Sequence, residues 1–203
     1  YQTRERQTYH TDSSDIVALL CLKTAKSGGA SALVSSMTIY KEMYERRPDL
    51  LPYLFEAMGT DRRGEIPAGE KPWHEIPVYN FHEGYLSALY ARRYIESARR
   101  FPELPALSPA QVEALDLFDS LAEDPDISLQ MEFQPGDIQF LNNRVIFHAR
   151  TDYRDDPDPE LKRLLLRIWL MMPDWPARAK DMNFIANTDR AGGGFIPDKV
   201  AVA

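Results

Sequence analysis

The sequence holds a single cysteine, Cys21, so no disulfide can form within the chain, and its setting in the apolar run 16–22 reads as a buried, inert thiol. No stretch approaches the ~20 apolar residues that cross a bilayer. The opening residues YQTRERQTYH lack the apolar segment of a signal peptide. These absences point to a cytoplasmic protein with no membrane partner. Basic residues are in deficit: the net charge of -7 leaves no excess of Lys and Arg to displace phosphate counterions, which argues against a nucleic-acid partner. Internal repeats are absent too. So is an initiator Met, and the first motif arrives by residue 10, so an N-terminal section is expected to precede this chain.

What is present is the balance of an ordinary globular domain, 44% hydrophobic and 27% charged over 203 residues. At that length folding buries roughly 70% of the unfolded chain's surface, enough to shelter a site from water. One catalytic domain over 1–203 is the expectation. No oligomer is required for stability, and a homo-oligomer stays open.

Residues 16–23 and 32–34 read as two strands about a Ser27-Gly28-Gly29 turn. Residues 38–47 carry helical apolar spacing closed by Pro48. The polar stretch 59–65 reads as an exposed loop, and 75–81 as one edge strand containing Pro77. Between 85 and 100 strand and helix cannot be separated, and the segment is read as an excursion over a site's mouth. Ser108-Pro109 opens a helix through Leu121, with Ser as cap and Pro in the first turn. Strands follow at 128–133, 138–141, 144–148 and 163–170, around a Gln134-Pro135-Gly136-Asp137 turn. Many short strands with few, peripheral helices favour an antiparallel double-sheet barrel.

His10 and Asp12 stand two apart, so on a strand both side chains share a face and offer one cation an imidazole and a carboxylate. Alone, His-x-Asp arises easily by chance. A distant His148 would complete a two-His, one-carboxylate set, which suits iron(II) and leaves coordination positions open. Arg163 and Arg167, fifteen and nineteen residues beyond His148, sit in an apolar run at a spacing of four. Guanidinium groups buried on one face need anionic partners, either acidic side chains of a neighbouring strand or a dicarboxylate ligand. His74 and His82 read as structural or solvent-facing, and Trp73, Tyr79, Tyr85 and Trp169 as pocket lining or core. A zinc hydrolase on a similar barrel, or a cupin-like module that binds metal without oxygenase activity, would use the same triad.

Three stretches, YHTDSSDIVALLCLKTAKSGGASALVSS, QPGDIQFLNNRVIFHARTDY and KRLLLRIWL, occur in the order found in the TauD/TfdA family of 2-oxoglutarate oxygenases, which the chain resembles. The resemblance implies a double-stranded β-helix, or jelly-roll, core. It implies iron(II) held by His10, Asp12 and His148, with 2-oxoglutarate and O2 as co-substrates. Arg163 matches the residue that grips the distal carboxylate of 2-oxoglutarate, and Ser31 replaces a Thr that assists there. Arg167 matches a position that meets either the acid group of the substrate or the co-substrate. The implied reaction converts 2-oxoglutarate to succinate and CO2 while a small carboxylate- or amino-acid-type substrate is hydroxylated or desaturated. Retention of Asp12 argues against the halogenating relatives, which carry a small residue there.

Overall fold

Alternation of side chains along each strand decides which face of a sheet meets the core and which meets the site. The computed structural model describes residues 3–172 apart from 65, 67, 68 and 83. In chain order the first elements are β1 (Gln7–His10), β2 (Ile16–Lys23), β3 (Ser27–Gly28), β4 (Ser31–Ser35) and helix α1 (Ser36–Arg46). Two short hairpins follow, β5 (Met58–Asp61) with β6 (Trp73–Ile76), and β7 (Tyr79–His82) with β8 (Tyr85–Ala88). Then come α2 (Arg92–Ser97), α3 (Pro109–Ala122), β9 (Leu129–Met131), β10 (Ile138–Asn142), β11 (Ile146–Arg150), β12 (Tyr153–Arg154) and β13 (Leu164–Leu170).

Two antiparallel sheets form the body. The larger runs β1-β11-β4-β9, the smaller β10-β2-β13. Along β11, Phe147 and Ala149 are buried on one side, where Ala32 and Val34 of β4 and Ile39, Met43, Leu115 and Phe118 of α1 and α3 complete a hydrophobic core. The rings of Tyr90, Phe118 and Phe147 meet there at centroid distances of 4.3 to 6.1 Å. The alternate positions of the same strands, Ser31 and Leu33 on β4 and His148 and Arg150 on β11, face the smaller sheet; His148 registers with Leu33 and Arg150 with Ser31. Met131 of β9 and Gln139 of β10 touch across the gap between the sheets. The result is the expected jelly-roll core with helices on one side.

The smaller sheet turns Val17, Cys21 and Leu141 inward, all buried. Its other face carries Ile138, Phe140, Leu166 and Ile168, each about half exposed or more among the described residues. Burial raises the Cys21 thiol pKa, as an inert thiol requires. No helix among the described residues is long and apolar enough to cross a membrane.

Several expectations shift. The helix read at 38–47 begins at Ser36, because Ser35 caps it by accepting from the Thr38 N–H at 3.4 Å. The loop read at 59–65 starts inside β5, whose residues pair with β6. The strand read at 75–81 is two strands, and Pro77, which has no N–H to give a ladder, lies at the break. The ambiguous 85–100 is both types in turn: β8, then α2 and a 3-10 turn. The strand read at 144–148 begins later, at Ile146, because Asn142 to Val145 close a turn. The helix opened by Ser108 is as read, with a reciprocal Ser108–Gln111 capping box.

Candidate metal centre and its surroundings

His10 closes β1 and registers with His148 on β11, so pairing of the two strands alone sets the imidazoles side by side, with ring centroids 4.3 Å apart. Asp12 lies past the end of β1, so the same-face argument for an i, i+2 pair on one strand does not describe it. Its position comes from across the fold. Its backbone N–H donates to Asn143 Oδ1 at 3.0 Å, and Asn143 Nδ2 donates to its carbonyl and, at 2.8 Å, to that of Ser14. Thr11, between His10 and Asp12, is tied to Tyr90 twice: its N–H donates to the Tyr90 carbonyl at 2.8 Å, and the Tyr90 N–H donates to its hydroxyl oxygen at 3.0 Å. Beneath them the buried pair Asp15–Arg144, at 3.1 Å, locks the chain after Asp12 to the turn before β11.

One ligand atom from each of His10, Asp12 and His148 lies within 4.8 Å of the others, the only such group of three among the described residues. His74 and His82 lie on β6 and β7, outside it. His10 Nδ1 is 2.8 Å from the Thr8 carbonyl, which can only accept, so Nδ1 is the donor there and Nε2 is the nitrogen left to face a cation. His148 is deeply buried, and burial first, then the neighbouring His10 and Arg167, push its pKa down to about 3 against the pull of Asp12. It is therefore neutral at any ordinary pH, the form in which an imidazole ligates. Two imidazoles and one carboxylate, converging in a sheltered place, fit a divalent ion that takes nitrogen and oxygen ligands.

The Asp12 carboxylate is itself held. Trp169 Nε1 donates to its Oδ2 at 2.9 Å, and one Arg167 nitrogen lies 3.3 and 3.4 Å from its two oxygens. Arg167 thus does pair with an acidic side chain, but that side chain is the predicted metal ligand. Neither arginine is fully buried, contrary to expectation; the Arg167 side chain is 37% exposed. Trp169 and Asn143 are the functional contacts that the sequence reading missed. Trp169 had read as lining or core, and Asn143 only as part of the link between the strands read at 138–141 and 144–148.

Arg163 precedes β13 and lines a cavity of about 240 Å³ with Cys21, Gly28, Gly29, Ala30 and Leu165. A Cβ at Gly29 would stand 3.2 Å from Arg163 Nε. The guanidinium lies 5.0 Å from the Tyr153 ring centroid, and that of Arg150 lies 4.7 Å from it. After burial, the charge of Arg163 is the next cause that lowers the Arg150 pKa, so the two cations are neighbours. Among the described residues the Arg163 side chain forms no ion pair. Arg150 is two residues beyond His148 on the same face and registers with the buried Ser31. The predicted positions thus fall in two groups, the triad with Arg167 against Asp12, and Ser31 with Arg163 beside Arg150, a residue the sequence reading did not single out.

A family model described as taurine catabolism dioxygenase TauD, TfdA family matches residues 1–169. FR-33289 synthase of Streptomyces rubellomurinus (strain ATCC 31215) is 37% identical over 175 residues, 84% of this chain and 51% of that protein. A crystal structure of asparagine oxygenase in complex with Fe(II), 3-hydroxyasparagine and succinate matches with a TM-score of 0.64 at 16% identity, over 83% of this chain and 50% of that one. The non-heme iron oxygenase OrfP in complex with Fe and alpha-ketoglutaric acid matches with a TM-score of 0.61 at 14% identity, over 83% and 50%. At these identities the likeness to the solved structures is one of fold. The chain spans about half the length of the curated relatives it matches.

Proposed function

This chain belongs to the TauD/TfdA family of taurine catabolism dioxygenases, and from that premise we propose that it is the catalytic core of an iron(II) and 2-oxoglutarate-dependent oxygenase. In this reading it oxidatively decarboxylates 2-oxoglutarate to succinate and CO2 and hydroxylates, or desaturates, a small carboxylate- or amino-acid-type substrate. The observation that carries the proposal is the convergence of His10, Asp12 and His148 on one point. Iron(II), when bound, activates O2 for attack on an unreactive C–H bond, with 2-oxoglutarate as the source of two electrons.

The residues then divide the work. His10, Asp12 and His148 would hold the ion through two imidazoles and one carboxylate. Arg163 holds the distal carboxylate of 2-oxoglutarate with its planar fork, helped by the Ser31 hydroxyl. A lone cation beside Arg150, with no acidic partner among the described residues, supports an anionic ligand there. Arg167, part-exposed next to the metal, meets the acid group of the substrate. We take the stretch from β1 to β13 as one catalytic domain, and the compartment as the cytoplasm, supported by the lone buried thiol of Cys21.

The test is incubation of the chain with iron(II), ascorbate and 2-oxoglutarate. Succinate is expected, even without the true substrate, and is expected to vanish in Asp12→Ala. Metal-dependent ester or amide hydrolysis without consumption of 2-oxoglutarate would overturn the proposal in favour of a zinc hydrolase.

A further inference from the structure

Asp12 is held at its backbone by Asn143, but that clamp leaves the torsion that rotates its carboxylate undetermined, because the terminal torsion of Asp is broad and has no steep staggered wells. A carboxylate that spins samples orientations in which it misses the two imidazoles. Something has to stop it.

We propose that Trp169 is a positioning residue for the metal centre, its indole N–H holding the Asp12 carboxylate in the orientation in which it meets the same ion as His10 and His148. The inference rests on the metal reading of the triad given above. Trp169 sits on the inward face of β13, in register with Val17 of β2 and two residues beyond Arg167. The indole is a donor only, so its 2.9 Å contact with Oδ2 has one sense. It uses one of the roughly four acceptor sites of an ionised carboxylate and leaves the others for a cation. Arg167 also touches this carboxylate, but at 3.3 and 3.4 Å, from a side chain 37% exposed where that of Asp12 is 9% exposed. The guanidinium of Arg167 rests on the Trp169 ring, 4.6 Å from its centroid. Arg167 is thus the exchangeable contact and Trp169 the fixed one. The same ring that anchors the ligand also seats the arginine that faces the substrate.

Trp169→Phe separates these two duties, since phenylalanine keeps a ring face for Arg167 and deletes the N–H. Cobalt(II), whose visible spectrum reports ligand geometry, is titrated into the 203-residue chain. Wild type is expected to bind one ion, and Asp12→Ala and His148→Ala none. Trp169→Phe is expected to bind about 10- to 100-fold more weakly, the usual effect of losing a partner of a metal ligand, with an altered spectrum. Cobalt binding retained in Asp12→Ala and His148→Ala overturns the metal reading itself. Binding lost in those two but unchanged in Trp169→Phe, with an unchanged spectrum, overturns the role of Trp169 alone. Should Trp169→Phe not fold, the Trp169 indole resonance of the wild type, assigned in a 1H–15N spectrum, decides. It is expected downfield, to move when zinc(II) is added, and to lose its downfield position in Asp12→Ala; an indole resonance indifferent to both overturns the proposal.

Discussion

Asn143 grips Asp12 at both of its backbone polar atoms, accepting from the N–H at 3.0 Å and donating to the carbonyl, while its own N–H donates to the Asp15 carbonyl at 2.8 Å. A turn residue 131 positions away therefore fixes where the acidic ligand stands. Asn143 is 1% exposed, so truncation leaves buried groups of Asp12 and Ser14 without partners. Asn143→Ala is expected to lower unfolding free energy by about 2–3 kcal/mol, at about 1–3 kcal/mol per unsatisfied buried group. A urea midpoint that falls at constant slope checks this, and cobalt affinity should weaken with it.

Arg163→Ala should raise the 2-oxoglutarate requirement by about tenfold or more, since hydrogen bonds to charged groups contribute about 1.5–3 kcal/mol. Metal binding should stay within about twofold of wild type. Arg163→Lys should recover little, because an ammonium lacks the planar fork. Titration of succinate formation against 2-oxoglutarate separates the two effects, and an unchanged requirement in Arg163→Ala would remove Arg163 from the co-substrate site.

Gly28 takes φ +72°, and a Cβ there would stand 2.3 Å from the Asp152 carbonyl oxygen, a backbone atom that cannot swing aside. Gly28→Ala is expected to cost about 1–3 kcal/mol from the strained conformation and the clash. It should also disturb the β3–β12 pairing that leads into Gly29 and Ser31. A melting temperature equal to wild type would contradict this.

Stability should fall on mild acidification. Burial, and secondarily the charge of Arg62, hold the His74 pKa at about 4 against an ordinary 6.5. The unfolded chain takes up this proton below 6.5 while the folded chain refuses it until about 4, so stability is lost as pH falls across that window and the loss levels off below it. The slope contributed is up to about 1.4 kcal/mol per pH unit. His148 adds to the same trend, being held neutral down to about 3. His74→Gln should flatten the curve of unfolding free energy between pH 6.5 and 4; an identical slope would place His74 in a more solvated setting.

The parts of this protein legible in its sequence are those fixed by local chemistry. Ser108-Pro109 announces its helix because cap and first turn are contiguous, and the strands at 16–23 and 164–170 announce themselves by apolar density. His10 and His148 were legible as a pair only through the motif around each, and the β1–β11 register supplies the physical reason. Asp12 was singled out on a premise that the structure does not bear out. Strand periodicity would have placed it beside His10, but β1 stops first, and side chains more than 130 positions away hold it instead. Trp169 could not be told from a core aromatic, because its partner depends on the register of β13 against β2, a long-range fact that no spacing along the chain encodes. Segment 85–100 resisted assignment because it changes from strand to helix within a few residues, averaging out either period.

The central claim is best tested by anaerobic titration of iron(II) into the wild-type chain and His148→Ala, followed by 2-oxoglutarate. The account predicts one iron per wild-type chain and a visible charge-transfer band when the keto acid is added, with both lost in His148→Ala. Equal iron binding by the two proteins would contradict it.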